Sequence, residues 1–258
     1  MMNYNYHAHT YRCGHATGED EDYVIRAING GIKYMGFSDH APFVFPDGYE
    51  SHYRVKTQDI QSYFDSLGSI REKYKDKIEI KIGFEMEYYP EHFEKMLKNA
   101  KNIGAEYLIL GQHYIGNEHP DTYASTKKTD SEELLSRYVD CVCSAVDSGV
   151  FTYVAHPDII NFVGNDNIFR KEMSRICEVS KQSGIPLEIN FLGIRKGRHY
   201  PNPKFWEIAG EAQCPVTFGC DAHDPIDAFD EKSLSVAEWL VRRYKLNYIG
   251  MPKIIELN

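Results

Sequence analysis

In Ile78-Glu79-Ile80-Lys81-Ile82-Gly83-Phe84-Glu85-Met86-Glu87, apolar side chains alternate with others as far as Phe84, the period of a strand. The stretch then delivers two carboxylates, Glu85 and Glu87, two residues apart. The same ending recurs along the chain. A strand expected at 3–8 runs into His7 and His9, with His15 in the following loop. One at 33–38 runs into Asp39 and His40, one at 106–111 into His113, and one at 151–155 into His156. One at 215–219 leads to Asp221 and His223, and one at 185–190 ends in Asn190 and leads to Arg195, Lys196 and Arg198.

Helical patterns fill the gaps between these strands. They are expected at 19–29, 132–148, 168–183, 205–212 and 234–244. Two shorter stripes, Ile60/Phe64/Leu67/Ile70 and Phe93/Met96/Leu97/Ala100, add two more. Seven strand-then-helix units imply an α/β fold with a parallel sheet. A doubly wound sheet collects ligands only at its switch point, whereas a barrel aims the carboxyl ends of all its strands at one place. Every strand here ends in a metal-ligand or phosphate-binding residue type, so a barrel is expected, as one domain over residues 1–258.

Residues i and i+2 of an extended strand share a face, which points His7 with His9, Glu85 with Glu87, and Asp221 with His223. A lone buried histidine is usually a hydrogen-bonded core residue. Seven of them placed after strands and kept out of helices are better read as ligands. His7, His9, His15, His40, His113, His156 and His223, with Glu85 and Asp221, exceed what one catalytic metal takes. Two or three divalent ions are implied, zinc, manganese or iron, with Glu85 placed to bridge. Glu87 is either a ligand or a group behind one, and Asp39 beside His40 is suited to orienting an imidazole. His52, His92 and His119 read as surface residues, and His199 lacks the placement of a ligand.

Six cysteines show neither a zinc-finger nor a disulfide spacing, so reduced thiols are expected. Cys141 and Cys143 read as packing, and Cys13, between His9 and His15, is the one thiol with the position of a ligand. Arg195-Lys196-Gly197-Arg198 above the sixth strand is a phosphate-binding candidate, with Arg12 a second. The net charge of −9 argues against a nucleic-acid surface, while leaving room for a small phosphorylated substrate at a local metal cluster. The polar Met1–Tyr6 stretch and the lack of a spanning apolar run point to a cytoplasmic protein without a membrane partner; a monomer or homodimer is expected, a choice the sequence leaves open.

With these residues in view, the chain resembles the polymerase and histidinol phosphatase (PHP) family, in its histidinol-phosphatase branch. The resemblance spans nearly the whole length. It rests on His7-Ala8-His9, Arg12-Cys13-Gly14-His15-Ala16, Ser38-Asp39-His40, Gly83-Phe84-Glu85-Met86-Glu87-Tyr88, His113, His156-Pro157 and Asp221-Ala222-His223. It implies a distorted seven-stranded (β/α)7 barrel with three metals: one on His7, His9, Glu85 and Asp221, one on Glu85, His113 and His156, one on His15, His40 and His223. The stretch from Glu188 to Asn190, Gly193 to Lys196 and Tyr200-Pro201 is similar to the branch's phosphate and substrate loop. Phe191-Leu192 stands where the branch usually has a small hydroxylated pair, Glu87 where it has Asp, and Gln112 is also untypical.

The activity so implied is hydrolysis of a phosphomonoester, with L-histidinol phosphate the leading substrate. Arg195 is expected to stabilise charge on phosphate, Asp221 or His223 to protonate the leaving group, and Lys196, Arg198, Arg12 and Glu87 to contact substrate. The alternatives are another small phosphate ester (a nucleotide, sugar phosphate or phosphotyrosine), which Phe191 and the aromatic loop 41–53 would suit, or a non-catalytic metal-binding module.

Overall fold

Strands and helices alternate along the computed structural model, which describes residues 2–119 and 122–257. The strands are β1 (Tyr4–Asn5), β2 (Tyr34–His40), β3 (Glu79–Met86), β4 (Leu108–Leu110), β5 (Phe151–Val154), β6 (Leu187–Asn190), β7 (Pro215–Gly219) and β8 (Asn247–Tyr248). Between them lie α1 (Asp20–Asn29), α2 (Ile60–Tyr74), α3 (Phe93–Asn102), α4 (Glu132–Asp147), α5 (Asp166–Ser183), α6 (Phe191–Arg195), α7 (Pro203–Ala212) and α8 (Glu231–Tyr244). All neighbouring strands pair parallel, in the order β1 to β8.

The local chemistry explains both layers. Parallel strands are covered on both faces, and every residue of β4, β5 and β6 is buried. In α4, Leu135, Tyr138, Val139, Val142, Ala145 and Val146 recur at helical spacing and are buried. Ser131 caps that helix by accepting from Leu134 N, and Glu132 and Glu133 complement its dipole. Gly184 ends α5 at φ 76°, a left-handed cap that glycine adopts without strain.

The sheet curls until its edges meet. Past β1 and β7 the chain pairs again, Ala8 with Ala222, where His9 N donates to Ala222 O at 2.9 Å and Ala222 N to His7 O at 3.2 Å. At the other end β8 pairs with β7, and the Tyr4 and Tyr248 hydroxyls lie 3.1 Å apart. The carboxyl ends of β1 to β7 therefore face one side, as expected.

Three expectations are corrected. The sheet holds eight strands among the described residues, not seven, because the two-residue β8 is too short to show a period. The strand at 3–8 is interrupted after Asn5, whose Oδ1 accepts from His7 N and Cys220 N, each at 3.1 Å, in place of a backbone carbonyl. The loop after β6 begins with a short helix, α6, which Asn190 caps by accepting from Gly193 N. No helix among the described residues is long and apolar enough to cross a membrane.

Candidate metal centre

At the shared end of the strands, His7 Nε2 lies 3.5 Å from Glu85 Oε2 and 3.6 Å from Asp221 Oδ1. His9 Nε2 lies 3.5 Å and 3.4 Å from the same two atoms. These spacings exceed a hydrogen bond. All four atoms are buried without a hydrogen-bond partner among the described residues. Bonds of about 2.0–2.2 Å to a tetrahedral ion put its ligand atoms roughly 3.3–3.6 Å apart, so the set fits a divalent cation. The other oxygen of the same carboxylate, Glu85 Oε1, lies 2.9 Å from His156 Nε2 and 3.5 Å from His113 Nε2. Glu85 thus presents one oxygen to each side. A third group, His15, His40 and His223, has its ligand atoms within 4.8 Å of one another, with the Nε2 atoms of His15 and His223 3.0 Å apart.

Tight backbone makes room for these carboxylates. A Cβ on Gly111 would stand 1.9 Å from Glu85 Oε1, and one on Gly219 1.7 Å from Glu188 Oε1. His156 and Asp221 have φ of 31° and 46°, a left-handed geometry rare for non-glycine residues that costs about 1–3 kcal/mol and is typical of functional positions.

Carboxylates behind the imidazoles orient them. Glu188 Oε1 accepts from His7 Nδ1 at 2.7 Å, and its Oε2 accepts from His156 N and Asn190 Nδ2. Asn190 Nδ2 also donates to Asp221 Oδ2 at 3.0 Å. Asp39 Oδ1 is 3.4 Å from His9 Nδ1, and Glu87 Oε1 accepts from His113 Nδ1 at 3.0 Å. The sequence offers Glu188 only as the start of the stretch similar to a substrate loop, not as the group behind His7. Its signal is its place two residues before Asn190, on the same face of β6.

Electrostatics divides the cluster. Burial disfavours the charged form of His7, but Glu188, Asp221 and Glu85 outweigh it and hold the imidazole well above its ordinary range. His9 rises to about 9 in the same way, against burial, through Asp221, Asp39 and Glu85. Despite burial, His113, His7, His40 and His156 hold Glu85, and His7, His223 and His9 hold Asp221, well below the usual carboxylate range. At the third group burial and neighbouring imidazoles act together, lowering His15 to about 4 and depressing His40 and His223.

A cavity of about 660 Å³ opens above the cluster, with Tyr53, Tyr114, Leu192, Lys196, Arg198 and Tyr200 in its wall. Three residues expected to contact substrate are turned elsewhere. Arg195 closes α6 on the side of β7, donating to the carbonyls of Cys220 and Asp221 and pairing with Asp227. Arg12 is held by Asp20 and Ser62. Glu87 is fully buried between Arg54 and His113. Phe191 is buried in the core and cannot stack on a ligand in the cavity. Of the remaining histidines, exposed His52 reaches the cavity wall, His119 pairs with Asp47, His92 packs on Phe43, and His199 meets Ile159 O. Cys13 lies with His9 and His223 within 4.8 Å, and burial together with Asp39 pushes its thiol up.

The pattern of the PHP domain matches residues 5–191. A probable histidinol-phosphatase of Deinococcus radiodurans is 27% identical over 224 residues, 85% of each chain. The histidinol-phosphatase of Lactococcus lactis is 26% identical over 259 residues, 94% of this chain and 91% of that one. The structure of a histidinol phosphate phosphatase from Lactococcus lactis, complexed with zinc, L-histidinol and phosphate, superposes with a TM-score of 0.70 at 21% identity, covering 95% of both chains. With a curled parallel sheet that gathers histidines and carboxylates at one end, and a domain pattern matched over most of its length, the chain belongs to the PHP family.

Proposed function

We propose that the protein is a metal-dependent phosphomonoesterase that hydrolyses L-histidinol phosphate to L-histidinol and phosphate. The observation that carries the metal reading is the set of four buried, unpartnered ligand atoms of His7, His9, Glu85 and Asp221 at tetrahedral spacing. The curated relatives supply the substrate. Three ions are assigned: the first to that set, the second to Glu85, His113 and His156, the third to His15, His40 and His223. Zinc, manganese and iron all suit these donors. The whole of 1–258 acts as one domain, since Asp221 and His223 come from beyond the matched pattern.

Bound divalent ions supply Lewis-acid polarisation of phosphoryl oxygens and a lowered water pKa. The chain's own residues do the rest. Arg198, whose Nη1 donates to Tyr200 Oη at 2.8 Å, keeps N–H groups for the equatorial phosphate oxygens, and Lys196 adds a second positive charge. These two take the role first expected of Arg195. Asp221, ionised, and His223, neutral, with Oδ1 and Nδ1 3.2 Å apart, stand at the cavity and would pass the attacking water's proton to the leaving alkoxide. With Glu87 committed elsewhere and Asp227 paired with Arg195, Asp224 is the wall carboxylate proposed for the substrate's ammonium group.

The test is phosphate release from L-histidinol phosphate by metal-loaded protein, beside a generic aryl phosphate. The expected kcat/KM is near ~10⁴ M⁻¹s⁻¹ or above for histidinol phosphate, with far less on the aryl ester. Turnover of the aryl ester alone would keep the metal chemistry and reject this substrate. Metal binding without any turnover would reject the enzyme.

A further inference from the structure

Arg54 is fully buried, and no sequence pattern pointed to it. Its Nη2 donates to Glu87 Oε2 at 2.5 Å, its Nε to Glu118 Oε2 at 2.8 Å and its Nη1 to Ala41 O at 3.0 Å. The hydroxyls of Tyr53 and Tyr89 lie 3.3 and 3.4 Å from Nη2. One guanidinium thus joins three segments: the loop after β2, the end of β3, and the loop after β4 that also carries His113. Burying a cation with two carboxylates is expensive and seldom repaid as stability, so such a cluster calls for another role.

The geometry of Glu87 supplies that role. Arg54 occupies Oε2, which leaves Oε1 to accept from His113 Nδ1 at 3.0 Å. A carboxylate can only accept here, so Nδ1 carries the ring proton and Nε2 offers its lone pair. That Nε2 faces Glu85 Oε1, 3.5 Å away. The chain of contacts runs from Glu118 through Arg54 and Glu87 to His113 and ends on the bridging carboxylate.

We infer that Arg54 is a positioning residue for the ion assigned to Glu85, His113 and His156: it fixes Glu87, and Glu87 fixes the tautomer and direction of His113. This rests on the metal reading above. Arg54 does not touch the His7, His9 and Asp221 side of the cluster, so its effect is selective for one ion.

The experiment measures metal content after gel filtration, and zinc affinity by competition with a chromophoric chelator, for the full chain. Arg54→Met is expected to lose one equivalent of metal relative to the unsubstituted protein, with that site weakened about 10–100-fold. The double variant Arg54→Met/Glu87→Gln removes the stranded charge next to His113, leaving Glu118 as the other, while keeping a carbonyl for His113 Nδ1, and is expected to regain the lost equivalent. Circular dichroism and thermal melting accompany each variant. A folded Arg54→Met protein with the full metal content overturns the inference. So does loss of all metals with a collapsed melt that the double variant does not restore, which would give Arg54 a role in the fold alone. If the unsubstituted protein holds no metal, the proposed function itself falls, a result distinct from either.

Discussion

The carboxylates around His7 and His9 favour their protonated forms, so a metal binding there must displace protons. Their imidazoles sit above the usual range, His9 at about 9, because Asp221, Glu85 and their neighbours outweigh burial. An imidazole ligates only when neutral, so loading this site near pH 7 releases at least one proton. The sign follows: affinity rises with pH and falls by roughly tenfold or more per unit of acidification below about 9. His15, at about 4, and the depressed His40 and His223 are already neutral at pH 7 and release none. Zinc titration calorimetry in two buffers of different ionisation heat checks this; buffer-independent heats would refute it. The space around Glu85 gives a second residue-scale prediction. Gly111→Ala would thrust a methyl into Glu85 Oε1 and should cost over ~100-fold in activity, with loss of bound metal. Gly68→Ala in α2, where an added Cβ meets nothing within 4 Å, is the control and should leave both unchanged.

Elements differed in how far sequence revealed them. Where a period runs for several residues, as in β2, β3, α4 and α5, the expected element lies close to the observed one, because burial on one stripe or on two faces imposes the period. Nine ligand candidates were legible for the same reason: strand ends are where alternation stops, and polar residues there stand out. What stayed hidden depends on contacts distant in sequence. β8 is two residues long and exists because β7 offers it a partner. Arg195 faces β7 because α6, which starts at the Asn190 cap, turns it to the carbonyls of Cys220 and Asp221. Glu188 and Arg54 act through partners 181 and 33 residues away. Asn5 shows what such a contact is worth. Its Oδ1 satisfies two buried N–H groups, so Asn5→Ala should destabilise the fold by about 2–4 kcal/mol, read from urea unfolding. A loss under ~0.5 kcal/mol would mean that the strand edges meet without it.

The whole molecule combines an apolar framework with a polar knot at one end. The strands and helices bury a continuous hydrophobic core, while the knot buries imidazoles and carboxylates, of which His7 Nε2, His9 Nε2, Glu85 Oε2 and Asp221 Oδ1 find no hydrogen-bond partner among the described residues. Ligands that bind only the folded state stabilise it by mass action, by about 2.7 kcal/mol at a hundredfold excess over Kd for one site. For a chain of this size, 1 kcal/mol shifts Tm by roughly 2–4 °C. Chelation should therefore lower Tm by about 5–10 °C for a single ion lost, and further if three are removed. Far-UV circular dichroism below the transition should stay the same, because ligand residues such as His40 and Glu85 take part in the sheet ladder through their backbone and not through the side chains that would hold metal. Readdition of zinc should restore both Tm and phosphate release. An unchanged Tm after complete metal removal would mean that the folded and unfolded chains hold the ions equally well. That outcome would count against a preformed centre of buried ligands at the strand ends.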